Sequence, residues 1–181
     1  MPSHFPSRRM AALALALAAI LAPAAALADS NWSSVGSTGA LDDNCAGAAV
    51  SDGNAVRLGG AAAVTCTIRY QISDTWGGAG LAERRFLDTL VLDPGVLTQV
   101  RVRLMALNYS TRALTALLTL DSNSFPLAAG FQKRIGSTCA DLDFRLNSYF
   151  IEVDLVRTTP SLLPAAGPSP GFGLVRLPSC P

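Results

Sequence analysis

The stretch Val100-Arg-Val-Arg-Leu-Met-Ala106 decides the fold class of this chain. Apolar side chains occupy every even position, and arginines occupy positions 101 and 103. Successive side chains of a β-strand point to opposite faces, so this alternation predicts a strand with one buried face and one solvated face. Turn-prone residues 108–112 follow, and the alternation resumes over residues 114–120. We therefore predict a β-hairpin.

The same pattern returns after Cys139. Residues 142–146 and 149–155 alternate in the same way, and Asn147-Ser148 between them is a turn signal, which predicts a second hairpin. The predicted outer rows carry opposite charges, with Arg101 and Arg103 on one strand and Asp141/Asp143 or Glu152/Asp154 on others. Cross-strand pairs of this kind contribute about 0.2–1 kcal/mol each. The apolar faces of the two hairpins must pack against each other or against a second sheet.

Further strands are predicted on both sides of these hairpins. Residues 62–72 alternate, with Cys66 on the apolar side. Residues 86–92 are apolar without alternation, which is typical of a fully buried strand, and residues 172–177 form a last short strand. The total is seven or eight short strands separated by Gly-rich and Pro-rich turns. This pattern predicts an all-β fold, an antiparallel β-sandwich or jelly roll.

Residues 1–28 have the features of a secretory signal peptide. They contain Arg8-Arg9, an apolar run over residues 10–22, and small residues at 26–28 where a signal peptidase would cleave. The apolar run is shorter than the roughly 20 residues that a transmembrane helix needs. We predict that residues 29–181 form one domain, secreted or periplasmic, with no membrane span after cleavage.

Removal of this segment would also remove the single histidine, His4. Without histidine, the remaining chain cannot use Ser-His-Asp or Cys-His catalysis and cannot form a His-ligated metal site. Arg8 and Arg9 would be lost too, leaving 12 of the 14 basic residues against 13 acidic ones. Nucleic-acid binding requires a basic face, so this balance predicts no nucleic-acid partner. We predict no cofactor and no enzymatic activity.

Four cysteines lie beyond the signal segment: Cys45, Cys66, Cys139 and Cys180. In an exported chain they predict disulfides, and their wide spacing without a C-x-x-C motif argues against a zinc site. Three connectivities are possible. We favour Cys45–Cys66 and Cys139–Cys180, because Cys45 shortly precedes the strand that contains Cys66.

The chain resembles small exported bacterial β-sandwich domains that contain disulfides. The resemblance is carried by an early cysteine, by the strand V-T-C-T-I at residues 64–68, by the alternating middle hairpin, and by the late strand Y-F-I-E-V at residues 149–153. It covers most of residues 29–181. It implies a fold and an exported location, and it adds no site residue, because the group has no established activity.

Two pairs of residues are candidates for binding. Asp141 and Asp143 share one parity, so both carboxylates would point the same way, as in a Ca²⁺ site or a catalytic pair. A solvated strand face paired with arginine is the alternative. Trp32 and Trp76 lie in Gly-rich and Ser-rich stretches, where exposed aromatic rings bind sugars or partner proteins. The alternative is that each tryptophan plugs one end of the sandwich.

These observations favour a non-enzymatic surface or extracellular module that binds a glycan, an envelope component or a protein. A structural subunit of an extracellular assembly, a homo-oligomer built by pairing of edge strands, is the second hypothesis. A hydrolase that uses only carboxylates, such as Asp141, Asp143 or Glu152, is the least favoured, because no pair lies in a recognisable catalytic context.

Overall fold

The structure, a computed structural model, describes residues 31–60, 62–74, 83–158 and 169–181. The predicted signal peptide and Trp76 lie outside these residues. The described part consists of thirteen β-strands and three 3₁₀-helices of three residues each, and it contains no α-helix. The strands outnumber the seven or eight expected because several have only two to four residues, too few to produce a visible alternation.

The strand bounds are β1 Trp32–Val35, β2 Ala40–Leu41, β3 Ala49–Asp52, β4 Ala55–Leu58, β5 Val64–Ile72, β6 Glu83–Arg85, β7 Asp88–Leu92, β8 Thr98–Asn108, β9 Leu114–Asp121, β10 Gln132–Ile135, β11 Ala140–Leu142, β12 Asn147–Arg157 and β13 Gly171–Leu177. The 3₁₀-helices are Gly36–Thr38, Asp43–Cys45 and Ser122–Ser124.

Two antiparallel sheets form the sandwich. The first has five strands in the order β2-β5-β12-β8-β9. The second has six, in the order β10-β7-β13-β4-β3, with β1 also paired to β13. β11 and β6 form a separate two-stranded sheet. The all-β antiparallel sandwich predicted from the alternation is confirmed.

The apolar face of the first predicted hairpin lies in the core along β8 and at Leu118 and Leu120 of β9. Leu114 and Ala116, predicted on the same face, are exposed instead, because a bulge at Leu117 reverses the alternation. Val100, Val102 and Leu104 of β8 are completely buried, and so are Ile151, Val153 and Leu155 of β12. Across the sandwich, the ring of Tyr70 in β5 packs against Phe172 in β13, with ring centroids 5.5 Å apart. The two sheets therefore share one hydrophobic core.

The charged outer face of the five-stranded sheet also forms as predicted, between β8 and β12. Arg103 contacts Glu152 at 2.7 Å and Asp154 at 2.6 Å. Arg69 of β5 contacts Glu152 at 2.9 Å and also pairs with Asp42. Because β12 lies between β5 and β8, its two carboxylates each meet an arginine from a neighbouring strand.

The second predicted hairpin is wrong. β11 ends at Leu142, residues 143–146 turn, and β12 begins at Asn147. The turn is stabilised by the carbonyl of Asp143, which accepts hydrogen bonds from the backbone N–H groups of Leu146 (3.2 Å) and Asn147 (3.1 Å). β12 pairs with β5 and β8 instead. Alternation alone could not distinguish these pairings, because it shows which face is buried and not which strand lies beside it.

Both disulfides have the favoured connectivity. Cys45 at the end of a 3₁₀-helix is bonded to Cys66 in β5, and Cys139 before β11 is bonded to Cys180 after β13. The described residues include no helix of the length and hydropathy that a membrane crossing requires.

Candidate functional site

A cleft of about 320 Å³ lies where the β8–β9 hairpin extends past the buried core. We call it the hairpin cleft; its lining residues are Ala106, Asn108, Thr111, Ala113, Thr115, Leu117, Asp141, Asn147 and Tyr149. Ala106 and Thr115 are cross-strand partners on the inward row, yet Ala106 is buried and Thr115 is exposed. The side chains of the inward row are therefore buried as far as Ala106 and exposed from Thr115 on, and the cleft opens at this point.

Asn108 organises one wall of the cleft. Its side-chain oxygen accepts hydrogen bonds from the backbone N–H groups of Ser110 (3.0 Å) and Thr111 (2.9 Å), which fixes the hairpin turn. Its amide nitrogen donates to the side-chain oxygen of Asn147 at 3.2 Å. Asn108 and Asn147 are cross-strand partners at adjoining ends of β8 and β12. Two carboxamides are thus held in place at the cleft without a bound ligand.

Tyr149 forms the floor. Its side chain is buried, and its ring packs edge-on against Phe144 with centroids 4.8 Å apart. Its hydroxyl accepts hydrogen bonds from the backbone N–H of Asp143 (2.7 Å) and the amide of Asn147 (3.2 Å). These bonds attach the 143–146 turn to the sheet. The floor of the cleft is therefore apolar and rigid, and its polar groups lie at the rim.

The two predicted metal ligands lie in different elements of the structure. Asp141 lies in β11, lines the cleft, and pairs with Arg84 at 3.4 Å. Asp143 lies in the following turn and pairs with Arg145 at 2.9 Å. The predicted alignment of the two carboxylates rested on strand periodicity, and β11 ends at Leu142, one residue before Asp143. No group of three or more His, Cys, Asp or Glu side chains able to hold a metal occurs among the described residues.

The pairing of Asp143 has a consequence for its titration. Hydrogen bonds from the Arg145 side chain and backbone hold the pKa of the Asp143 carboxyl below its ordinary value. A carboxyl whose pKa is lower in the folded chain than in the unfolded chain stabilises the fold at neutral pH, and this contribution is lost as the pH falls through the lowered pKa. We expect Arg145→Gln to raise the pKa of Asp143 towards the ordinary value, as measured by carboxyl NMR titration.

Arg84→Gln is the matched control for this titration. It removes the arginine beside Asp141, and it should leave the pKa of Asp143 unchanged. Equal Asp143 pKa values in the Arg145→Gln variant and the unaltered protein would contradict the assignment.

Trp32 gives no exposed binding platform. Trp32 lies in β1, is only 9 % exposed and belongs to the core cluster, so its ring is not available for stacking. This corresponds to the alternative in which the tryptophan fills the sandwich. Trp76 lies outside the described residues. The aromatic side chain that is exposed near the cleft is Tyr109, which follows Asn108 and is 58 % exposed.

The sequence pattern had assigned Asn108 and Asn147 to turns and had not identified them as site residues. Each lies at the end of a strand, and only the pairing of β8 with β12 brings them together. The sequence does show that both asparagines lie at strand ends. It does not show that these ends adjoin, because it predicts that β12 pairs with the strand at residues 142–146 and not with β8.

A buried cluster of hydroxyl and carboxyl groups lies elsewhere in the fold. Asp93 accepts hydrogen bonds from the hydroxyls of Thr98 (2.6 Å) and Ser122. The Ser122 oxygen also accepts from the backbone N–H of Val100 at 2.8 Å. Each of the three polar side chains is less than 10 % exposed, and the described residues contain no histidine that could activate Ser122. The cluster therefore ties the ends of β7, β8 and β9 together.

A second cleft of about 350 Å³ lies beside the Cys45–Cys66 disulfide. It is lined by alanine, glycine and valine, and Asn44 provides its one polar side chain. With so few polar groups it offers little to orient a ligand. The hairpin cleft is therefore the candidate functional site.

Comparison with known proteins identifies no family. No protein-family model matches the chain, and no curated protein matches it. The chain is similar to the solved structure of the CBM22-1 and GH10 modules of Clostridium thermocellum endo-1,4-β-D-xylanase 10B complexed with xylohexaose, with 12 % identity and a TM-score of 0.44. That match covers 84 % of this chain and 26 % of the other.

Two further structures show the same degree of likeness. A family two carbohydrate esterase from Cellvibrio japonicus matches with 12 % identity and a TM-score of 0.36, over 83 % of this chain and 34 % of the other. The mannan-recognising carbohydrate-binding module TmCBM27 matches with 10 % identity and a TM-score of 0.36, over 83 % of this chain and 89 % of the other. At these identities and TM-scores the matches carry no functional argument, and a function must be argued from the residues of this chain.

Proposed function

We propose that residues 29–181 form an exported, non-enzymatic module that binds a glycan in the hairpin cleft. The observation that carries this proposal is the composition of the cleft: pre-positioned amide and hydroxyl groups at the rim of an apolar floor. Its volume of about 320 Å³ lies at the lower end of the range for small-molecule sites.

The chemistry of the rim matches a polyhydroxylated ligand. Carboxamides and hydroxyls both donate and accept hydrogen bonds, as a sugar hydroxyl does. Asn108 and Asn147 supply two carboxamides to the lining, and Thr111 and Thr115 supply two hydroxyls. The C–H face of a sugar ring would lie against Leu117, whose side chain is half-buried at the cleft. Tyr109, beside Asn108, adds an exposed aromatic face at the same end of the sheet.

The charge of the cleft disfavours phosphate-rich ligands. Asp141 contributes a carboxylate to the lining, and no lysine or arginine is among the lining residues. Arg84, the partner of Asp141, is held in that ion pair. An anionic ligand would meet this carboxylate, whereas a neutral glycan can donate hydroxyl hydrogen bonds to it.

Two features support export. The 1–28 segment has the pattern of a signal peptide, and two disulfides join all four cysteines of the described part. Disulfides form and persist outside the reducing cytosol. The periplasm and the extracellular space both satisfy this condition.

We expect Thr115→Tyr to abolish or strongly weaken glycan binding. Thr115 is exposed and points into the cleft, so the larger ring fills the cleft without entering the core. Residues 29–181 would be screened on an array of neutral and acidic oligosaccharides, and the strongest binder would be titrated by calorimetry. A loss of at least about tenfold in affinity, equivalent to about 1.4 kcal/mol, is expected.

Thr119→Tyr is the matched control. Thr119 lies on the same strand, is also exposed, and faces outward opposite Arg103. It should leave the affinity unchanged. The proposal fails if no oligosaccharide binds, or if the binder is lost in Thr119→Tyr and retained in Thr115→Tyr, because the ligand would then lie on the outer face.

A further inference from the structure

β9 is an edge strand, and it is longer than the other edge strands of the two sheets. It extends over eight residues, Leu114–Asp121, and within the described part of the chain it pairs with β8 alone. No described strand pairs with the backbone N–H and C=O groups along its other side. An open edge of this kind is a template for pairing with another strand.

The other edge strands of the two sheets are short and β9 is not. β2 has two residues, and β1, β3 and β10 have four each. β10 also carries Lys133 and Arg134, and charged side chains are a common device against edge-to-edge association. β9 reads L-T-A-L-L-T-L-D, with no proline and no charged residue before Asp121. The edge of the five-stranded sheet at β9 is thus long and uncharged, and the device against edge pairing that it carries is the bulge at Leu117.

The bulge in β9 selects a register for pairing with a second copy. Leu104 pairs with Leu118 and Met105 with Ala116, so Leu117 is the extra residue. Outward residues before the bulge have even numbers, and those after it have odd numbers. When two β9 strands run antiparallel, Ala116 can lie opposite Thr119 of the other copy with every outward residue opposite an outward residue.

We propose that this protein forms a two-fold symmetric dimer by antiparallel pairing of β9 with β9 of a second copy. A second copy suits this edge because the pairing brings no like charges together along the seven residues before Asp121, and because a two-fold axis lets one strand serve as its own complement. The two five-stranded sheets become one continuous sheet. Both hairpin clefts then lie on the same face of that sheet, which would let one polymeric ligand occupy both.

The test uses residues 29–181 with two double variants on exposed outward positions of β9. Ala116→Lys with Thr119→Lys places lysine opposite lysine in both cross-copy pairs. Ala116→Lys with Thr119→Glu places lysine opposite glutamate at the same positions. Like charges directly opposite destabilise a strand pair and opposite charges stabilise it.

Size-exclusion chromatography with light scattering gives the mass, and analytical ultracentrifugation gives the dissociation constant. We expect a mass of two chains for the unaltered protein and for the Lys/Glu variant. We expect the dimer dissociation constant of the Lys/Lys variant to be at least about tenfold higher than that of the Lys/Glu variant. Circular dichroism and cooperative urea unfolding establish that each variant is folded.

Two outcomes overturn the proposal. One is an unaltered protein that remains a single chain up to millimolar concentration, which would leave this edge to another partner or to none. The other is a dimer with the same dissociation constant in both double variants, which would place the contact elsewhere. Neither outcome bears on the glycan proposal. That proposal is tested by the affinity for an oligosaccharide, which calorimetry measures independently of the mass of the protein assembly.

Discussion

Reduction of both disulfides should lower the free energy of unfolding by about 7 kcal/mol. Cys45 and Cys66 are 21 residues apart, and Cys139 and Cys180 are 41 residues apart. In the chain-entropy model, loops of these lengths contribute about 3 and about 4 kcal/mol, and the two loops do not overlap. A domain of this size has a total stability of about 5–15 kcal/mol, so the reduced protein should be close to unfolding. Urea unfolding with and without reductant measures the difference.

The two disulfides should open in a fixed order. Cys66 and Cys45 are 0 % and 1 % exposed, whereas Cys139 is exposed and Cys180 half-buried. Because thiol–disulfide exchange needs access to a sulfur, limiting reductant should open Cys139–Cys180 first. Alkylation and peptide mapping at successive times would show the order. Simultaneous opening of both bonds, or loss of Cys45–Cys66 first, would contradict it.

Arg103→Met should lower the free energy of unfolding by about 2–3 kcal/mol. Arg103 contacts Glu152 and Asp154, whose side chains are only 11 % and 10 % exposed. Removing the cation leaves two carboxylates next to each other in a poorly solvated place, and breaking such a pair costs more than its formation contributes. Arg69 still contacts Glu152, and the Thr67 hydroxyl still donates to Asp154 at 3.0 Å. These contacts keep the expected loss at the lower end of the usual range for buried pairs.

Arg101→Met is the matched control for this substitution. Arg101 lies on the same strand and the same face, but its side chain is 40 % exposed and its distance to Asp121 is 4.0 Å. An exposed pair of this kind contributes about 0–1 kcal/mol. Urea unfolding of both variants, with equal m-values, gives the comparison. A difference below about 0.5 kcal/mol between them would show that the buried carboxylates do not depend on Arg103.

The sequence predicted those parts of the fold that depend on local periodicity. β5, β8, β9, β12 and β13 lie within two residues of the predicted bounds where alternation is regular, and Cys66 is buried as its parity required. The disulfide pairing followed from the position of Cys45 before β5. Short strands such as β2 and β6 escaped prediction because two or three residues cannot show a period.

Prediction of the candidate site required the strand pairing, which local periodicity does not contain. Asp141 was identified from its residue type, and the structure places it in the hairpin cleft without Asp143. Asn108 and Asn147 were assigned to turns, and they meet only because β12 pairs with β8. No local pattern contains that pairing, since the two residues are 39 positions apart.

The sequence by itself determined the class of the molecule. Alternation at a period of two predicts which side of a strand is buried, and four cysteines in a chain predicted to be exported indicate disulfides. The tertiary structure alone decided the strand order, the closed turn at Asp143 and the uncovered end of the β8–β9 hairpin. The physical reason is that burial of an apolar face is non-directional and is satisfied by many partners, whereas a binding site depends on which particular strands become neighbours.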